Sequence, residues 1–248
     1  MKVVSDLGCF PTGRHYPGIA HLLRVSAAGL AEEFPGDVAL EALAMVCVDT
    51  ETTGRDSSTD RIVEIACVRW ENGVVVRRDN WLVNPGMPIP KEAFDVHGIS
   101  DDDVKDAPAF AEIAKAVLTA LSGAVPVAYN ADFDRSFLVA ELARAEAFDD
   151  KPPPACRKGV DWVDPLVWAR ELQKYEKGKS LGEVTARLGI DIGTAHRATD
   201  DAEAALRVFQ TFRSDARVPK TYAALIQEQR RLARAHDEER ARWRSARS

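Results

Sequence analysis

Two carboxylates one residue apart, Asp49 and Glu51 in the stretch VCVDTETTG, close an apolar run that begins at Met45. On a strand, alternate side chains share a side, so both acids are delivered together at the strand end and their charges repel within a few ångströms. A cation joining them removes that repulsion, and oxygen ligands with no Cys or His nearby select Mg²⁺ or Mn²⁺ over zinc. Taken alone, D-x-E is a solvated strand end. Further carboxylates must converge on it before it reads as a metal site.

The stretch AYNADFDRSFL supplies two more acids, Asp132 and Asp134, just after the apolar run VPVAYN. At helical spacing Asp134 shares a face with Phe137 and Leu138 and leans toward the core, whereas Asp132 aligns with Arg135 and Ser136. An Asp near a helix N-terminus is also favoured by the helix dipole whatever its function. A third segment, AHRATDDAEAALRVF, again offers a pair. Asp201 lines up with Ala205, Val208 and Phe212, and Asp200 with Glu203, Ala204, Arg207 and Thr211, so of the two Asp201 is the better inward-facing ligand. His196 precedes it by five residues, roughly 140° away on a continuous helix. A loop position suits His196 better, since from there it can swing over the site as a proton acceptor near neutral pH.

The elements that must position these groups can be read along the chain. MVCVD is a buried strand, IVEIACVRWE alternates with period 2, and VVVRRDNWLVN resumes after the turn Glu71-Asn72-Gly73, so a hairpin follows a central strand. A helical spacing runs from Ala107 to Leu121, VPVAYN is a short buried strand, and Phe133 to Ala145 is a second helix. WVDPLVWAREL passes from strand to helix through Pro165, the capping-box pattern Ser180-Leu-Gly-Glu183 opens another helix, and a last core helix runs from about Ala198 to Phe212. This order predicts an α/β fold with a mixed five-stranded sheet flanked by helices.

Lys and Arg total 33 against 39 Asp and Glu, a net charge of −6, which argues against a simple polycationic nucleic-acid binder. The balance is uneven: residues 218–248 hold eight Lys and Arg against four Asp and Glu. Their apolar stripe, Tyr222, Leu225, Ile226, Gln229, Leu232 and Ala233, predicts a long helix. Packing of that helix on the core or on a second subunit, as in a homodimer, stands ahead of direct DNA binding. The cysteines Cys9, Cys47, Cys67 and Cys156 form no C-x-x-C pair, so neither a zinc site nor a disulfide framework is expected. No apolar stretch approaches the ~20 residues of a membrane span and no signal-peptide core is visible, so a cytoplasmic protein without membrane contact is expected.

Taken together, VCVDTETTG, NADFD and HRATDD, in this order and at these intervals, resemble the DEDDh (DnaQ-like) family of 3′ to 5′ exonucleases. VHGIS at 96–100, DPLVWAREL at 164–172 and SLGEVTARLGI at 180–190 are also similar to the family, and the resemblance spans about Met45 to Phe212. Tyr129 departs from it, since many relatives carry His before the Asn.

The resemblance implies a ribonuclease H-like fold over residues 45–213; outside it, the chain's own pattern predicts a helical N-terminal extension, 1–44, and a basic amphipathic helical tail, 214–248. It implies that Asp49, Glu51, Asp134 and Asp201 hold two Mg²⁺ or Mn²⁺ ions and that His196 is the general base, releasing nucleoside 5′-monophosphates from DNA 3′ ends. Thr52 and Thr53 are the expected contacts to the terminal sugar, and His97 and Phe133 to bases, against an equal reading of these four as turn and core packing. The expected substrates are single-stranded DNA or frayed ends, with a polymerase or repair complex as partner. RNA trimming is the alternative within the same chemistry. A catalytically silent nucleic-acid or polymerase-binding module is the alternative outside it, and the five-residue set argues against that, because binding alone has no need to gather four carboxylates and a His.

Overall fold

The computed structural model describes residues 28–148, 150–191 and 197–245. His196 and Cys9 therefore lie outside the described residues.

Three strands and a short fourth form one sheet. β1 (Met45–Thr52) is central; it pairs antiparallel with β2 (Ile62–Glu71), which turns back at Asn72-Gly73 into β3 (Val74–Leu82). On its other side β1 pairs parallel with β4 (Val125–Val127), giving the order β3-β2-β1-β4. Both turn residues have positive φ, the backbone that a two-residue hairpin turn requires and that Asn and Gly accept.

The expected fifth strand, before Pro165, is corrected by the structure: among the described residues the sheet has four strands. Val163 donates to the Pro126 carbonyl and accepts from Ala128 N–H, a single parallel bridge to β4. The ladder cannot lengthen because the neighbouring amides are engaged elsewhere. Asp161 N–H donates to the Gly29 carbonyl, Asp164 N–H donates to Gln229, and Pro165 has no N–H to offer.

The helices are α1 (Lys91–His97), α2 (Asp101–Val104), α3 (Phe110–Leu121), α4 (Ala131–Arg144), α5 (Pro165–Leu172), α6 (Leu181–Leu188), α7 (Ala198–Phe212) and α8 (Tyr222–Ser245). Helix α3 starts at Phe110 rather than Ala107, since Pro108 follows Ala107 and holds it out of the helical region. The alternation of β1 sorts the core into two layers. Met45 and Cys47 pack with α5, α7 and the start of α8, and Val46 and Val48 pack with α3 and α4. β1 is buried on both faces along its first four residues, and the acidic pair stands at its end.

Residues 28–44 contain a 3-10 turn at Leu40–Ala42 and no other helix. They lie against α8: Tyr222 N–H donates to the Val38 carbonyl, Ala223 N–H to Gly36, Ala31 N–H to the Tyr222 hydroxyl, and Phe34 meets the Tyr222 ring edge-on. Leu40 and Leu43 join Leu225, Ile226 and Leu232 in the core layer under α7. Cys47 and Cys67 are buried free thiols within strands, and Cys156 is a partly exposed free thiol. None of the described helices is long and apolar enough to cross a membrane.

Candidate active site

The C-terminal end of β1 lies between the two helical layers, and acids reach it from both. Asp49 and Glu51 follow Met45 and Cys47 on the side that faces α7. On α7, Ala198, Ala202 and Ala205 are small enough to let the helix lie close to the sheet, which brings Asp201 down to the strand end. The result is a three-carboxylate group: Asp49, Glu51 and Asp201 each offer an oxygen, and these lie within 4.8 Å of one another.

Asp134 arrives from the opposite layer. It is 4% exposed, carried by the face of α4 that also buries Phe137 and Leu138, and its Oδ1 accepts the Thr50 hydroxyl at 2.8 Å. Asp132 is exposed. Asp134 stands outside the three-oxygen group, but after burial its charge is the foremost influence on Asp49.

Helix α4 is aimed by its first residues. Asn130 adopts the left-handed conformation, which Asn tolerates, and donates its N–H to Asp164 Oδ1 at 3.0 Å while Ala131 donates to Oδ2 at 3.2 Å. The same Asp164 caps α5 through Leu166 N–H at 2.8 Å. One half-buried carboxylate thus sets the start of two helices, and desolvation holds its pKa above the usual range despite three donors.

The electrostatics are those of crowded like charges. Asp49 is pushed well above the ordinary carboxylate range by burial, then by Asp134, Asp201, Glu51 and Glu64. Glu51 is pushed up to about 8 by burial and by Asp201, Glu64 and Asp134, with Arg197 opposing. Asp134 rises to about 7 through burial, opposed by the Thr50 hydrogen bond. Such a set favours proton uptake or cation binding, and four carboxylates with no thiolate suit a hard divalent ion.

Beside Glu51 opens a cleft of about 430 Å³ lined by Thr50, Thr52, Thr53, His97 and Phe133, with Arg55 its one cationic side chain among the described residues. The four residues assigned to substrate from sequence therefore share one cavity with a member of the acidic group. Thr52 Oγ1 donates to the Gly54 carbonyl, and Thr53 Oγ1 accepts Arg61 N–H, so both hydroxyls brace the turn that forms the cleft wall. His97 closes α1, buried, with its Nδ1 accepting Ile99 N–H at 3.0 Å. Phe133 is half-buried and packs on Phe137 at 4.9 Å.

Sequence reasoning missed Glu64 and Arg197. Glu64 is fully buried on β2 directly across from Glu51, accepting Asn80 and Arg197 side chains at 2.8 and 3.0 Å. It also accepts Ala198 N–H at 3.3 Å, tying the start of α7 to the sheet. The signal was present: Glu64 interrupts the otherwise apolar run IVEIACV. The register slips between Glu51 and Thr52, a local irregularity of the kind that re-aims side chains beside functional sites.

Three comparisons bear on this arrangement. Residues 46–209 match the family model RNase_T, described as exonuclease. The chain is 32% identical over 174 residues to the DNA polymerase III subunit epsilon of Treponema pallidum (strain Nichols), covering 69% of this chain and 77% of that protein. It is 38% identical over 205 residues to a DNA polymerase III subunit epsilon-like protein of Rhodobacter capsulatus, covering 79% of this chain and 27% of that longer protein. Among solved structures, Exonuclease X in complex with 5′ overhanging duplex DNA superimposes with a TM-score of 0.54 at 26% identity, over 74% of this chain and 99% of that one. E. coli Exonuclease I with a dT13 oligonucleotide shares the fold, with a TM-score of 0.60 at 18% identity over 69% of this chain and 41% of that one.

Proposed function

This chain belongs to the RNase_T family of DnaQ-like exonucleases, with a ribonuclease H-like fold, and from that premise we propose that it is a divalent-metal-dependent 3′ to 5′ exonuclease acting on DNA ends. The observation that carries the reading is the placement of the Asp49, Glu51 and Asp201 oxygens, within 4.8 Å of one another, beside a cleft large enough for a terminal nucleotide. Residues 45–213 are taken as the catalytic unit, with 28–44 and 214–245 packed against it.

Asp49, Glu51 and Asp201 would hold one ion and Asp49 with Asp134 a second. Two Mg²⁺ or Mn²⁺ ions, when bound, neutralise the carboxylates and stabilise the charge that develops on the attacking and leaving oxygens of an in-line displacement. Thr52 and Thr53 seat the terminal sugar at the turn after β1, and His97 and Phe133 flank its base. His196 accepts the proton of the attacking water. The bond from phosphorus to the preceding 3′ oxygen breaks, that oxygen takes up a proton, a nucleoside 5′-monophosphate leaves, and the strand is one residue shorter. Asp164 and Glu64 act on geometry, the first by aiming α4 and the second by anchoring α7.

The test incubates the protein with 5′-labelled single-stranded DNA, duplex DNA and RNA, in Mg²⁺, in Mn²⁺ and in chelator, beside Asp49→Ala and His196→Ala. Stepwise shortening from the 3′ end of DNA that needs metal and both residues supports the reading. If all three substrates stay intact with either metal, the exonuclease assignment fails; shortening of RNA alone replaces DNA with RNA as substrate.

A further inference from the structure

Among the described residues the cleft beside the carboxylates has one cationic lining residue, Arg55, against Glu51 and Glu92. Affinity for a nucleic-acid strand comes largely from neutralising phosphates, so the strand beyond its terminal nucleotide requires cations that this cleft does not supply. They are gathered elsewhere. A groove of about 560 Å³ runs between α5 with the loop that follows it and the last turns of α8, lined by Arg170, Lys174 and Lys179 on one wall and Arg240, Arg244 and Trp243 on the other. Among the described residues Glu239 is its one acidic lining residue.

Three features set this groove apart from a solvated charged helix face. Its cations come from two separate parts of the chain, 170–179 and 240–244, and fold together. Among the described residues its cations Arg170, Lys174 and Arg244 take part in no ion pair and Arg240 pairs with Asp237, whereas the α8 arginines Arg230, Arg231 and Arg242, outside the groove, are paired with Asp161, Glu228 and Glu238. An exposed aromatic ring stands among the charge: Trp243, 63% exposed, shares the lining with Arg240 and Arg244. Cations alternating with exposed rings are the composition that single strands use, phosphates on one and bases on the other.

The groove is also coupled to the catalytic end of the fold. The Tyr129 hydroxyl donates to the carbonyl of Lys179 at 2.6 Å, pinning the groove's loop to the residue before Asn130, where α4 begins and carries Phe133 and Asp134. We infer that this groove, formed by Arg170, Lys174, Lys179, Arg240, Trp243 and Arg244, binds the single strand upstream of the nucleotide being removed. The inference rests on the exonuclease reading for its direction, and on charge and geometry for the site itself.

The experiment measures binding and hydrolysis separately on the full chain. Fluorescence anisotropy in chelator, where no cleavage occurs, compares a 20-residue oligo(dT) with a 4-residue one for wild type, the triple variant Lys174→Ala/Arg240→Ala/Arg244→Ala, and Trp243→Ala. The expected result is at least a tenfold loss of 20-mer affinity in the triple variant. Its salt dependence flattens by about 2 in log–log slope, at roughly 0.7 per phosphate contact on a single strand. Trp243→Ala weakens 20-mer binding without changing that slope, and 4-mer binding stays unchanged. Hydrolysis of the p-nitrophenyl ester of thymidine 5′-monophosphate with Mn²⁺, too short to reach the groove, stays at the wild-type rate in all variants.

Wild-type 20-mer affinity and salt slope in the triple variant overturn the inference, as does a wild type that does not bind the 20-mer. A change of solution mass in the variants with oligonucleotide binding intact also overturns it, assigning the groove to contact between copies of this chain. Failure of the wild type to hydrolyse the ester or any 3′ end, with groove-dependent 20-mer binding retained, removes the exonuclease reading and leaves the groove standing. Circular dichroism melts of each variant confirm folding, which these exposed α8 and loop positions do not threaten.

Discussion

Thr50 donates its hydroxyl to Asp134 at 2.8 Å across the boundary between β1 and α4, so a residue lying between two candidate metal ligands holds a third. Thr50 points to the layer opposite Asp49 and Glu51, and its hydrogen bond opposes the burial of Asp134, whose pKa is left at about 7 with both effects present. Thr50→Val removes the donor and leaves the carboxylate buried, so the Asp134 pKa moves further up. The acid limb of the pH–rate profile then shifts to higher pH by about one unit, the equivalent of one charge-assisted hydrogen bond of about 1.5 kcal/mol. Thr50→Ser restores the wild-type limb. A profile that does not move in Thr50→Val would show that Asp134 ionisation does not limit the rate.

Stability without metal should fall as pH rises. Asp49, Glu51 and Asp134 have folded-state pKa values raised above ordinary carboxylate values, so the folded state holds protons that the unfolded chain has released. The stabilisation is complete below about pH 4 and is lost as pH climbs through about 7 and 8. Mg²⁺ competes for the deprotonated carboxylates, so its effect on Tm should be small at pH 5 and large at pH 8. Scanning calorimetry in chelator and in Mg²⁺ at both pH values checks this. Asp49→Asn removes one repelling charge and should raise Tm in chelator at pH 8, by roughly 2–4 °C per kcal/mol, while abolishing the Mg²⁺ response.

The choice between neighbouring aspartates on α7 is testable directly. Asp201→Asn takes an oxygen out of the three-carboxylate group and should reduce turnover by at least a hundredfold. Asp200→Asn should leave turnover within about threefold. Equal losses in both would place the working carboxylate geometry elsewhere on the helix.

His196→Ala should lower kcat by about 10²- to 10⁴-fold, the usual worth of a general base, with little change in KM. Steady-state kinetics on labelled single-stranded DNA check this, and a loss of kcat under tenfold assigns the base to another group.

Arg61 ties the turn after β1 to α4. Its guanidinium meets Glu141 at 2.7 and 2.9 Å and the Pro85 carbonyl at 3.0 Å, while its backbone exchanges hydrogen bonds with Thr53. Glu141 is almost fully buried and also lies 3.4 Å from Arg144. Arg61→Ala leaves that carboxylate with the weaker partner and should cost about 3 kcal/mol, the low end for breaking one side of a buried pair. Urea denaturation measures it. The cleft wall carrying Thr53 should loosen with it, raising KM more than it lowers kcat.

Much of the site was legible because its local periods are strict. Alternation along β1 puts Asp49 and Glu51 on one side, and the 3.6-residue repeat separates Asp201 from Asp200 and Asp134 from Asp132, without reference to any distant residue. The same local rules gave the hairpin, α7 with its bounds, and the long tail helix. What they could not determine were relations between segments. Glu64 faces Glu51 only through the β1–β2 register, and Asp134 joins the strand end from the far layer only because Asp164 caps two helices at once. The fifth strand reads as a strand by composition, but it shrank to one bridge because its amides found Gly29 and Gln229 instead. The basic tail, read from sequence as a packed helix with a solvated face, becomes one wall of a groove whose other wall is 170–179. Side-chain direction along one element is local sterics and is written in the sequence. Which elements meet, and which polar groups they leave to each other, is decided by long-range packing and hydrogen bonding, and only the tertiary structure records it.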